Sequence, residues 1–380
     1  MTSAVDGPAD DPPDGDRFRP RTRLLFGGAI LVGTALFALV VLDWRQVVAV
    51  LAGADPWLVA AGALASLAGL AAWSEALRHL LPPDARAVTR RRGFVVYATG
   101  GVVRNVLPVG YASSIAVLAY VYRREAELVL HRSLAAVTVA ELLVGIASAA
   151  VAGAGLGLLV AAGPVTPLVE QIARGALLLA VGGTATGALV WYRRETARRA
   201  VHAVAGAAAG AAGRLNPGFG ERLSPSAVEE TISDYLRALS TVSTRRRDVW
   251  TAAGFAAVGW LALVAALYAS GLAVGYRVPV AVALLVVPVA GYATVLPVPG
   301  GLGGYELGVA GALHLLGGLD LAAAVAVTLL FRVCSYWAVI AVGAAASTYL
   351  SVDVRELSSA TIDGDGVPTG RAGGSGTADD

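Results

Sequence analysis

Long apolar runs separated by short arginine-bearing connections dominate the chain. Leu24–Leu42, Trp57–Leu77 and Ser133–Ala162 carry few or no charges, and about 20 such residues in a helix cross the ~30 Å hydrocarbon core of a bilayer. Runs at 172–192, 249–273 and 320–350 have the same character. Together they predict six full transmembrane helices. Two more apolar stretches, 93–122 and 279–318, are each broken near the middle. The first is broken at Val106-Leu107-Pro108-Val109-Gly110, the second at Val295-Leu296-Pro297-Val298-Pro299-Gly300.

The polar positions orient these runs. Cytoplasmic loops collect basic residues. Arginines cluster before residue 24, after residue 77 (Arg78, Arg86, Arg90, Arg91, Arg92), at Arg123, Arg124 and Arg132, and throughout 193–248. The connections 43–56 and 163–171, and that near 275, carry one arginine or none. Both termini are therefore expected in the cytoplasm. Segment 93–122 has arginines at both ends, so both ends face inside. Segment 279–318 must begin and end outside. Each reads as a re-entrant helical hairpin, and the two enter from opposite faces.

This arrangement predicts an inverted repeat. Unit one is helix 57–77, hairpin 93–122 and helix 133–162. Unit two is helix 249–273, hairpin 279–318 and helix 320–350. The tetrapeptide VLPV marks the break in both hairpins. Inverted repeats whose broken helices meet near the midplane recur among transporters. The organisation expected is an acidic disordered tail over 1–20, a first membrane half over 21–192 and a cytoplasmic linker over 193–248. A second membrane half over 249–350 and a disordered tail over 351–380 complete it.

Composition supports an all-α integral membrane protein. Of 380 residues, 56% are hydrophobic and 15% charged, against roughly 25% charged in soluble domains. All 29 basic residues are arginine. The single cysteine, Cys334, rules out an intrachain disulfide or a thiolate metal cluster. Nothing in the sequence calls for a metal, a cofactor or nucleic acid. Arg17–Arg23 followed by Leu24–Leu42 resembles a signal peptide, but the run is long and lacks a small-x-small cleavage site. It reads as a retained first helix.

The broken segments carry the candidate chemistry. Irregular backbone is tolerated at membrane depth only where protein or a watery cavity satisfies it. Pro108, Pro297 and Pro299 resist helix and lack donors. Gly300, Gly301 and Gly303 allow positive φ and close approach. An unwound turn leading into a helix near Gly304–Glu306 offers amides and positive dipole to an anion such as a lipid phosphate. The plainer alternative is a packing hinge, with Glu306 capping its own helix.

Pro299-Gly300-Gly301-Leu302-Gly303 followed by Glu306 resembles the P-x-G-G-x-G-x-x-E signature of the lysylphosphatidylglycerol synthase transmembrane region, or flippase-like, family. Asn105-Val106-Leu107-Pro108, Glu141, Phe331-Arg332 and Tyr336-Trp337 extend the likeness over about residues 20–350. Family members often carry an acidic and a basic residue just after the first Leu-Pro, where this chain reads Gly110-Tyr111-Ala112-Ser113-Ser114. The resemblance implies a polytopic domain that moves lipids between leaflets, in some members fused to a soluble aminoacyl transferase. The residues after 350 leave no space for that transferase, so the translocating part alone is expected.

Ionisable groups at membrane depth are costly and mark function or pairing. Four stand out: Glu141, Arg332, Glu306 and Arg104. Arg332 is expected to bind lipid phosphate or to pair with Glu141 or Glu306, and the repeat puts Glu141 and Arg332 at nearly equivalent central sites. Asn105, beside a break, is expected to bond freed carbonyls. Glu75 and Arg78 suit a local i,i+3 pair. His314 is expected near the outer interface, and Trp44, Trp57, Trp73, Trp191, Trp250 and Trp260 mostly as interfacial anchors. Within 193–248, Val228, Ile232, Tyr235, Leu236, Leu239 and Val242 recur with helical period. They predict an amphipathic helix, on the inner membrane face or beneath the bundle, starting at Ser226 or after Ser224-Pro225.

These readings lead to a flippase or scramblase for an anionic phospholipid or polyprenyl-phosphate-linked lipid in the cell membrane. No Walker motif occurs, so it is not expected to be an enzyme that hydrolyses ATP. Two alternatives stay open: an intramembrane transferase on a polyprenyl-phosphate lipid, and a non-transporting subunit that docks a partner glycosyl or aminoacyl transferase through 193–248. Membrane lipids are the expected partners, and assembly as an oligomer is left open.

Overall fold

The computed structural model describes residues 44–162 and 225–349, apart from 84, 86, 87, 108, 109, 127, 296 and 297, with scattered positions between 167 and 182. Among the described residues all regular structure is helical. In chain order the elements are α1 (Trp44–Ala52), α2 (Pro56–Leu80), α3 (Arg90–Val106), α4 (Gly110–Glu125) and α5 (Leu130–Ala161). Next come α6 (Pro225–Thr244), α7 (Arg246–Ala273), α8 (Val280–Gly291) and α9 (Gly304–Leu315). A last helix is split by a π-helical segment, Val333–Trp337, into α10 (Leu321–Arg332) and α11 (Ala338–Tyr349).

Four helices are long and apolar enough to cross a membrane: Pro56–Leu80, Leu130–Ala161, Arg246–Ala273 and Leu321–Thr348. They coincide with four of the six expected spans. The other two, 24–42 and all but scattered positions of 172–192, lie outside the described residues, as do both tails. Local chemistry sets the helix starts. Asp55 accepts from Trp57 N at 2.8 Å with Pro56 in the first turn, and Thr89 accepts from Arg92 N at 3.3 Å. Asp320 accepts from Ala323 N at 2.9 Å. Such caps satisfy orphan amides, and they carry α3 back into the arginines at 90–92.

The two units pack reciprocally. Their first helices, α2 and α7, run antiparallel. Asp55 N at one end donates to Ala273 O at 2.8 Å, and Trp73 Nε1 further along donates to Ala256 O at 3.2 Å. At the far end, Arg245 donates to Leu80 O and Leu81 O, at 2.5 and 3.0 Å, and so covers the open carbonyls of α2. Each unit's last helix then lies against the first arm of the other unit's broken segment, α5 on α8 and α11 on α3. The contact is made through matching glycines about 190 residues apart. A Cβ on Gly155 would sit 2.5 Å from Leu285 N, and one on Gly343 would collide with Ala98 O.

Both interrupted segments fold as antiparallel helix pairs. In the first, Arg104 Nε donates to Ser114 Oγ at 3.3 Å and Tyr122 OH to Gly93 O at 3.3 Å, while Gly100 lies against Leu118. In the second, α8 ends in a short 3-10 turn, and Gly301 backs onto Ala293 before α9 returns. The amphipathic helix α6 begins at Pro225, the later of the two expected starts. It lies against protein: Leu239 and Val242 are buried, and Tyr235 OH donates to Thr138 Oγ1 on α5 at 3.0 Å.

The glycine contacts give the first test. Gly155→Ala and Gly343→Ala are each expected to lower stability by about 1–3 kcal/mol, because the backbones must separate. Gly157→Ala, with open space around it, is expected to leave thermal unfolding of the detergent-solubilised protein unchanged.

Candidate functional site

The breaks bring chemistry to mid-depth. Glu141 and Arg332 each lie 11 residues into their helices, α5 and α10, or about 17 Å at 1.5 Å per residue. The two helices enter from opposite ends of the bundle, so both charges fall near the middle of a ~30 Å apolar layer. Isolated charges there are expensive, and both are paired. Arg104 Nη2 on α3 meets Glu141 Oε1 at 2.5 Å, and Tyr111 OH on α4 donates to Glu141 Oε2 at 3.0 Å. Arg332 Nε lies 2.6 Å from Glu306 Oε1 on α9. Both pairs thus join a broken segment to the helix that follows it, but with opposite polarity.

Aromatic faces and freed backbone complete each pair. The Arg104 guanidinium lies 4.9 Å from the Tyr111 ring centre. That of Arg332 is sandwiched by Tyr305 at 4.8 Å and Tyr336 at 4.2 Å. Such stacking contributes about 2 kcal/mol when desolvated. Arg332 Nη2 also donates to Gly300 O at 3.1 Å. Its Nε, though close to Glu306, is buried without an aligned acceptor. Tyr336 OH reaches across to the first broken segment and donates to Asn105 O at 3.1 Å. The π-helical turn is what carries Tyr336 there, one residue out of α-helical register.

Between the pairs is a cavity of about 190 Å³. Arg104, Asn105, Glu141 and Arg332 line it, with Tyr111 and Tyr336. A further part of its wall comes from α2, α5 and α7, including Ser66, Ser148, Trp73 and Trp260. Glu306 and the glycines of the second break lie outside the lining.

Several expectations change at this point. Arg332 pairs with Glu306 and not with Glu141, because each central charge is met by its own unit's broken segment. Glu306 also caps α9, accepting from Gly303 N at 2.7 Å, so capping and pairing coexist. The open amide cradle expected at Gly300, Gly301 and Gly303 is not formed. All three have positive φ, as anticipated. However, Gly301 N donates to Val298 O and Leu302 N to Pro299 O, both at 3.1 Å, and Gly303 N is taken by Glu306. The loop turns a carbonyl, Gly300 O, toward the arginine. Pro299 opens its short 3-10 turn; Pro108 and Pro297 lie outside the described residues.

Asn105 donates to Gly101 O, one turn back in its own helix, at 2.8 Å. Trp73 and Trp260 are not interfacial anchors. They meet edge to face at 5.2 Å, and Trp260, midway along α7, is 9% exposed. Glu75 pairs with Arg78 at 2.8 Å, and Cys334 is buried. The tyrosines were missed as site residues, although one stands beside each break, at Tyr111 and Tyr305. Ser66 had no signal at all, because nothing local separates a cavity-lining serine from a packed one.

The sequence profile described as Lysylphosphatidylglycerol synthase TM region matches residues 24–343. The chain belongs to that family and is therefore a membrane domain related to lipid handling. No curated protein and no solved structure matches it.

The pairing predicts a specific pattern of coupling. Removing one member of a buried pair costs about 3–5 kcal/mol by leaving a naked charge. Arg104→Gln and Glu141→Gln together are expected to destabilise far less than the sum of the two, as are Glu306→Gln with Arg332→Gln. Glu141→Gln with Arg332→Gln is expected to be nearly additive. Thermal unfolding of the three double-mutant cycles checks this.

Proposed function

We propose that the protein moves lipids between the leaflets of the cell membrane, as a flippase or scramblase for a phosphate-bearing lipid. In this reading the two helix pairs α3–α4 and α8–α9 are re-entrant hairpins. They enter from opposite faces, with six full spans around them and both termini cytoplasmic. The single observation that carries the proposal is the pair of arginine–carboxylate bridges at mid-depth, on either side of one cavity and each mounted on a broken helix.

Physical chemistry explains why that arrangement suits lipid transfer. A phosphate crossing the hydrocarbon needs a charged partner for the passage, and a permanently free arginine there would be too costly. An arginine held in a bridge resolves the conflict. Its resting partner is a carboxylate, and an incoming phosphate offers equivalent oxygens in bidentate geometry. The Nε–H of Arg332, unaligned with Glu306, gives a phosphate oxygen an immediate donor. The displaced carboxylate keeps a partner meanwhile: Glu306 holds Gly303 N and Glu141 holds Tyr111 OH. The cavity fits the polar end of a lipid only, so acyl chains would stay in the bilayer as the head group crosses. Translocation would run down a lipid gradient or be coupled to an ion, without an ATPase.

Two measurements test this. In vesicles holding the full chain and a fluorescent short-chain phosphatidylglycerol, leaflet exchange is expected well above that of protein-free vesicles. Arg332→Ala and Glu306→Ala are each expected to slow it at least about tenfold, the equivalent of a lost 1.4 kcal/mol. Exchange at the protein-free rate would overturn the proposal. For topology, Arg124→Cys and Arg277→Cys in a Cys334→Ser background are expected to react with an impermeant maleimide from opposite faces.

A further inference from the structure

The part of the cavity wall away from the arginines holds an unexplained hydroxyl. Ser66 on α2 is 1% exposed, and its Oγ has no hydrogen-bond partner. Other buried helical hydroxyls in this protein turn back to the carbonyl four residues earlier. Thr99 bonds Val95 O, Ser270 bonds Ala266 O and Thr328 bonds Ala324 O, at 2.7–3.0 Å. Ser66 instead lines the cavity. Leaving a buried hydroxyl unsatisfied costs about 1–3 kcal/mol, so a group that occupies the cavity and bonds it gains that energy.

The surroundings narrow down what the group is. Trp73 and Trp260 share this stretch of wall, and their N–H groups are already bonded to Ala256 O and Val144 O. The indoles therefore present apolar surface only. Ser148 Oγ and Tyr292 OH, 3.4 Å apart, add two further hydroxyls. Charge is balanced, because each arginine has its carboxylate. A cationic head group finds no spare acid, and the protein's own guanidinium groups already cover Tyr111, Tyr305 and Tyr336. A second cation would also be repelled by both arginines. Hydroxyls beside apolar ring surfaces suit a polyol, whose C–H faces pack on rings while its OH groups bond side chains. The size agrees: a cavity of about 150 Å³ takes one benzene, and this one is about 190 Å³.

We infer that Ser66, Ser148, Tyr292, Trp73 and Trp260 form a subsite for the uncharged, hydroxyl-bearing part of a lipid head group, glycerol or a single sugar ring, with Ser66 Oγ as its anchor. The inference rests on the lipid-transfer reading above and selects the substrate class within it.

Tryptophan fluorescence of the full chain in detergent, titrated with dioctanoyl lipids, tests it. Phosphatidylglycerol and a monogalactosyl lipid are expected to bind at least about tenfold tighter than phosphatidylethanolamine, since a site built for hydroxyls discriminates against a head group lacking them. Ser66→Ala is expected to weaken both polyol lipids severalfold and to change phosphatidate, which has no head-group hydroxyl, less than twofold. Its melting temperature is expected to be unchanged or raised, because no protein hydrogen bond is lost. Preference for phosphatidylglycerol over the galactosyl lipid would assign glycerol, and the reverse a sugar.

Tightest binding of phosphatidylethanolamine would overturn the inference, as would equal weakening of all lipids. A lower melting temperature with unaltered binding would leave Ser66 a structural hydroxyl or a water ligand only, which also overturns it. The two readings fail separately. Vesicles that show no exchange while the binding order holds would sink transport and keep the subsite. Exchange blind to the head group would sink the subsite alone.

Discussion

An apolar medium offers nothing to a bare charge or an unpaired peptide group, and this constraint organises the molecule. Two arginines and two carboxylates near mid-depth, together with two interrupted helices, would each be untenable alone. The fold makes them one another's partners. Glu306 holds the amide of Gly303 and the guanidinium of Arg332, which in turn holds the carbonyl of Gly300. Tyr336 stacks on Arg332 and bonds the carbonyl of Asn105 at the end of the other unit's first arm. Each break is satisfied partly by the charges it carries and partly by the opposite unit.

The packing that supports this is symmetric, whereas the chemistry is not. Gly155 and Gly343 allow equivalent close approaches of a last helix to a first arm, and α2 and α7 meet across the same axis through Trp73 and Trp260. In the first unit, however, the broken segment brings the arginine and the following helix the acid. In the second the roles are exchanged. A dimeric scaffold with identical halves would place two like charges at equivalent sites around one cavity. Exchanging the roles keeps the cavity neutral while retaining two arginines within reach of a head group.

Much of the scaffold could be read along the chain. Apolar runs of bilayer length, arginines at their cytoplasmic ends and two proline–glycine interruptions bounded by like loops are local signals. Each reflects a one-residue preference for lipid, for the membrane interface or for non-helical backbone. The identity of the costly charges was legible for the same reason. Their partners were not. Glu141 and Arg332 looked like mates because they occupy equivalent positions, but equivalence in an inverted repeat relates residues through an axis and does not put them in contact. Trp260 resembled an interfacial anchor, yet it is 15 residues into a 28-residue helix, packed over Gly291 and against Trp73.

What the chain alone determined is therefore the solvent each segment requires: lipid for the runs, water for the arginine loops, and protein for the breaks. Family membership followed from the second break, because its glycines and its glutamate are contiguous. Only the tertiary structure decided which arginine met which acid. Only there did the glycine loop turn a carbonyl inward, and a hydroxyl at Ser66 face a cavity walled by tryptophans. Those outcomes depend on distances between residues far apart in sequence. They are set by how helices of fixed length pack across a pseudo-twofold axis, which no local preference encodes.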